Sequence, residues 1–147
     1  MRLLVLQHSA GEPPAAFGAH AVAAGDKLTI VRLFAGDTEP EPDDFDALLA
    51  MGGPMDVWDE DDHPWMVAEK RAIRTWVNSG KPYLGICLGH QLLAEAMGGH
   101  CARMKTPEIE VSDVTVSDAA VDSLLADLPQ LFAAMHCHGV EVTTPPP

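Results

Sequence analysis

A cysteine between two glycines, Gly85-Ile86-Cys87-Leu88-Gly89, most constrains what this chain can fold into. Before it runs Lys81-Pro82-Tyr83-Leu84, a short apolar segment set off by Gly80 and Pro82 that reads as a buried strand. After it, His90-Gln91-Leu92-Leu93-Ala94-Glu95-Ala96-Met97 follows a helical pattern stopped by Gly98-Gly99. Gly-x-Cys-x-Gly between strand and helix is the cysteine form of a nucleophile elbow. A nucleophile on so tight a turn sits at strained backbone angles, and neighbours without a Cβ let strand and helix pack closely. The helix N-terminus behind the sulfur favours thiolate, and its unpaired N–H groups can hold an oxyanion. The other reading of the pentapeptide alone is a buried structural cysteine.

Three segments, in order, extend the pattern. Met51-Gly52-Gly53-Pro54-Met55 follows an apolar run one strand earlier, Gly85 to Gln91 carries the cysteine, and His136-Cys137-His138-Gly139-Val140-Glu141-Val142 lies downstream. Together they resemble the class I glutamine amidotransferases, and the resemblance covers nearly the whole chain. It implies an α/β fold with a doubly wound, mostly parallel open sheet in a flavodoxin-like, three-layer arrangement. Residues 1–147 are then expected to form a single amidotransferase-like domain, about the N-terminal two-thirds of the family's, incomplete at the C-terminus.

The resemblance also assigns roles. Cys87 is the expected nucleophile that takes ammonia from L-glutamine, or from another γ-glutamyl amide, through a thioester. The Gly53 and Leu88 N–H groups are the expected oxyanion donors, with Gly52 and Gln91 against the substrate. Gln91 stands four residues after Cys87, one helical turn along on the same face. His90, at i+3 on a helix leading away from the elbow, is badly placed to take the thiol proton and is expected to be structural. Family members carry their catalytic histidine and carboxylate in a later His-x-Glu motif, and this sequence contains none. The nearest substitute is His138 with Glu141, in the spacing His-x-x-Glu. The other histidines, His8 among them, have no partner at a telling spacing and are expected on the surface or in the core.

Composition narrows the partners. A formal net charge of −13 argues against nucleic acid and anionic membranes. Three cysteines without a pairing motif point to a reducing compartment, so a cytoplasmic location is expected. No apolar run is long enough to span a bilayer, and the first residues lack the features of a signal peptide. No cofactor is implied, and no metal site, since Cys101, Cys137 and the nearby histidines follow no trusted ligand spacing. In an extended segment His136-Cys137-His138 would put alternate side chains on opposite faces, against chelation by all three.

Along the chain, strands are expected at Leu3–Leu6, Lys27–Leu33 and Phe45–Met51, with a helix from Pro14 to Ala24 closed by Gly25. Acidic loops fill 36–44 and 56–62, and the second lacks the pattern of a calcium loop. From Pro64, apolar positions at Trp65, Ala68, Ala72, Ile73, Trp76 and Val77 recur at helical spacing, making both tryptophans core anchors. Beyond Gly99 the pattern gives a short strand at His100–Lys105, an alternating one at Ile109–Val116 with a bulge near Ser112, a helix at Val121–Leu128 and a strand at Val140–Thr144.

The expected function is therefore glutaminase-type amide hydrolysis, with ammonia passed to an acceptor or to a synthetase subunit. The alternatives are a cysteine hydrolase of γ-glutamyl compounds on the same fold, or a catalytically incomplete binding or dimerising module. A sheet edge left open by missing strands would favour a homo-oligomer.

Overall fold

The continuous apolar run near the N-terminus becomes the central strand. In the computed structural model, β1 (Arg2–Gln7) pairs in parallel with β2 (Lys27–Arg32) on one side and β3 (Ala47–Ala50) on the other. A short β4 (Tyr83–Gly85) adds to β3, giving a four-stranded parallel sheet of order β2-β1-β3-β4. The structure describes residues 1–38, 40–116 and 126–147.

Burial on both faces explains why β1 is unbroken in its hydrophobicity. Leu4 and Leu6 point into a cluster with Val31, Leu33, Phe45, Leu48, Ala50 and Trp76, and Val5 points the opposite way to Leu49 and Met51. Parallel strands need crossover connections, and these lay helices on the sheet. The helix α1 (Ala15–Ala23) starts behind Pro14 and approaches Leu28 so closely at Gly18 that an added Cβ would meet that side chain at 3.4 Å. Helix α2 (Trp65–Asn78) brings Trp76 to the other face and buries Met66, Glu69 and Ile73. Trp76 is fixed by donating its indole N–H to the Pro82 carbonyl at 2.9 Å. Helix α3 (Leu88–Ala96) then leaves the end of β4.

Beyond α3 two long strands, β5 (His100–Thr115) and β6 (Leu131–Thr144), pair into a separate two-stranded sheet. The separate short segments expected from the sequence merge into these two strands. The chain divides into two compact units, Met1–Ala102 with Glu141–Pro147, and Arg103–Val140. The helix expected at 121–128 falls largely outside the described residues. Among the described residues, no helix is long and apolar enough to cross a membrane.

Candidate active site

The backbone at Cys87 has φ +50° and ψ −107°, a combination that a non-glycine residue adopts only when its surroundings enforce it. Three hydrogen bonds enforce it. Ile86 N–H donates to the Ala50 carbonyl at 2.9 Å, Gly89 N–H to the Met51 carbonyl at 3.1 Å, and Gln91 N–H to the Cys87 carbonyl at 3.1 Å. A side chain at Gly89 would run into the Ala50 backbone, so only glycine lets α3 start this close to β3. Cys87 is thereby exposed at the N-terminus of α3, and Leu88, the first helical residue, has no intrahelical partner for its N–H.

The Met51-Gly52-Gly53-Pro54 segment leaves the adjacent strand on the same edge. A Cβ added at Gly52 would stand 3.5 Å from the Cys87 Cβ and would strike the Glu12 carboxylate. One added at Gly53 would approach Leu88 Cδ2 to 2.8 Å and His8 Cβ to 3.1 Å. Cys87, Leu88, Gly52 and Gly53 thus converge. Gln91 is buried on α3.

Beneath this loop lies a pair that the sequence does not announce. His8 and Glu69 are both wholly buried, with His8 Nε2 2.8 Å from Glu69 Oε1. His8 Nδ1 lies 3.1 Å from the Gly52 carbonyl, and the ring stacks on Trp65 at 5.5 Å between centroids. Since a carbonyl can only accept, Nδ1 carries the proton in that bond. Burial pulls the His8 imidazole down, but the Glu69 carboxylate and the Gly52 and Met51 carbonyls outweigh it and hold the group above its usual value. Trp65 is therefore a ring platform for His8 as well as a core contact. Tyr83 ties the elbow from the strand side, its hydroxyl donating to the Gly89 carbonyl at 2.8 Å.

The other predicted positions are distributed differently. His90 is exposed on α3. His138 pairs with Glu108 at 3.1 Å instead of with Glu141, since residues three apart on a strand face opposite sides. Cys101 is buried, its thiol pushed up to about 11 by burial and by Glu95.

The family model for class-I glutamine amidotransferases matches residues 19–146. The chain belongs to that family. Among curated relatives of this amidotransferase-family chain, a glutamine-hydrolysing GMP synthase subunit from Sulfurisphaera tokodaii is 34% identical over 103 residues, 70% of this chain and 51% of that one. The glutamine amidotransferase-like protein YfeJ of Salmonella typhimurium is 29% identical over 143 residues, covering 94% of this chain and 60% of the relative. A crystal structure of a glutamine amidotransferase from Methylobacillus flagellatus superposes with a TM-score of 0.88 at 31% identity, over 99% of this chain and 58% of that one. The likeness to a Thermotoga maritima amidotransferase structure, TM-score 0.90 at 24% identity and over 99% of this chain and 63% of that one, supports the α/β fold. The amidotransferase-family chain spans about half the length of the GMP synthase subunits it matches.

Proposed function

We propose that this chain carries the nucleophile and oxyanion half of a glutaminase site. The observation that supports it is the enforced backbone of Cys87, exposed at the head of α3 beside the Gly52-Gly53 loop. The Cys87 sulfur attacks the side-chain carbonyl carbon of L-glutamine and forms a C–S bond. The Gly53 and Leu88 N–H groups receive the oxyanion, where each preorganised donor of this kind contributes on the order of a hundredfold in rate. Collapse of the tetrahedral intermediate breaks the C–N bond, and the protonated nitrogen leaves as ammonia. Water then adds to the thioester, releases glutamate and restores the thiol.

Gly52 and Gln91 border the glutamine. The general base is a group other than His138 with Glu141, because His138 already engages Glu108 and the Val140 carbonyl. The ammonia goes to an acceptor on a synthetase partner, a reading supported by relatives that are themselves designated one subunit of a GMP synthase.

A diazo-ketone analogue of glutamine tests this. The expected result is one adduct per chain on the Cys87 peptide, suppressed by excess L-glutamine and absent from Cys87→Ala. Equal labelling of Cys137, or no labelling at all, would overturn the assignment.

A further inference from the structure

The paired strands β5 and β6 bring together three side chains far apart in sequence. Val116 N–H donates to the Gln130 carbonyl at 2.9 Å, and a Cβ at Gly139 would stand 3.8 Å from Pro107. Both contacts fit one antiparallel offset, and that offset sets Glu108 across from His138. Two residues back on β6, His136 shares the face of His138, while Cys137 takes the other. A single carboxylate oxygen, Glu108 Oε2, lies 3.1 Å from His138 Nε2 and 3.4 Å from His136 Nδ1. One donor atom from each of the three side chains lies within 4.8 Å of the others.

Hydrogen-bond accounting shows what such a cluster lacks. His138 Nδ1 is 3.3 Å from the Val140 carbonyl, an acceptor only, so the ring proton is committed there. A neutral imidazole then turns the lone pair of Nε2 toward the Glu108 carboxylate. Two acceptors face each other, and a positive charge must lie between them. His136 turns its Nδ1 toward the same carboxylate oxygen, at 3.4 Å, and its Nε2 is buried with no hydrogen-bond partner, so Nδ1 is the atom a cation would engage.

We propose that Glu108, His136 and His138 form a three-ligand site for a first-row divalent cation of the zinc type. The donor set is two imidazoles and a carboxylate, which suits zinc with a remaining position open to water. Bonds of about 2.1 Å set neighbouring ligand atoms roughly 3.0–3.4 Å apart, the separations found here around Glu108. The Val140 carbonyl supplies the outer-shell acceptor that fixes a ligating imidazole and its tautomer. An isolated two-stranded ribbon is marginal in water, and a cation held by both strands would pin their register. Sequence spacing along one strand cannot reveal the site, because its carboxylate comes from the other.

Zinc chloride titrated into the metal-free, 147-residue chain, followed by calorimetry and by histidine-ring NMR, provides the test. The expected outcome is one zinc per chain, with only the His136 and His138 ring resonances among the seven histidines shifting. Affinity should fall at least tenfold in Glu108→Gln and in His136→Ala, and stay unchanged in Cys137→Ser. The ring resonances are read on the unsubstituted chain, so they decide the matter even where a variant misfolds. No saturable binding, shifts at other histidines instead, or zinc affinity that depends on Cys137 would overturn the proposal and leave a proton as the bridging charge.

Discussion

His8 lies 2.8 Å from Glu69 with neither side chain open to water, and its other ring nitrogen holds the Gly52 carbonyl. The bond fixes one peptide of the loop that faces Cys87, so a buried ion pair between the residue that follows β1 and helix α2 sets the geometry of an edge to which neither contributes a reacting group. Removing one partner leaves the other charge buried and unpaired. His8→Ala should cost about 3–5 kcal/mol in a denaturant titration, and slow labelling of Cys87 by the glutamine analogue beyond what lost stability explains.

The same pair gives a pH dependence with a definite sign. The folded His8 value is raised, so its contribution to stability is complete below the ordinary imidazole value of 6.5 and declines as pH rises through the folded value. Glu69→Gln should bring the His8 titration down, measured by NMR of the ring, and flatten the fall in stability as pH rises above 6.5.

Space at the elbow predicts a contrast between glycines. Gly89→Ala places a methyl against the Ala50 backbone, which cannot rotate away, and should cost about 3 kcal/mol or more. Gly11→Ala meets only Ser9 Oγ at 3.9 Å and should change stability by less than about 0.5 kcal/mol. Equal thermal shifts in the two variants would contradict this packing of α3 against β3.

The thiols should sort by burial. Iodoacetamide at neutral pH is expected to modify Cys87 and Cys137 in the native chain and to spare Cys101, which is buried with its thiol pushed up to about 11. Intact mass should show two adducts native and three after denaturation.

Asp46 accepts from the Arg2 side chain at 2.7 Å and from its backbone N–H, which together hold the carboxyl down at about 2. Its contribution is present above the ordinary value of 3.8 and is lost as pH falls through the folded one. In Arg2→Gln the Asp46 titration followed by NMR should return toward 3.8.

Much of the parallel sheet is legible in the sequence because its signals are local. An apolar run such as Leu3–Leu6 must be covered on both faces, and glycines around Cys87 can mean only a tight turn. Phe45 and Met51 read as strand ends yet lie outside β3, because apolar burial runs past Ala47 and Ala50, the residues at which the register with β1 ends. The length of β5 and β6 is not legible, since the breaks in alternation at Thr106-Pro107-Glu108 and at Gly139 look like boundaries, and only cross-strand pairing carries the strands through. His8 escapes for a related reason: its partners, Gly52 and Glu69, are joined to it by the fold and by no spacing along the chain.

Tyr83, whose hydroxyl reaches over the turn to Gly89, is the one tyrosine in the chain. Burial and the nearby Glu69 push its phenol well above the usual 10.0. Alkaline absorbance at the phenolate band therefore reads a single site, at the hinge of the elbow, without any introduced label. While the turn is intact the band stays silent past pH 10, and its appearance dates the moment at which the strand and helix around Cys87 come apart.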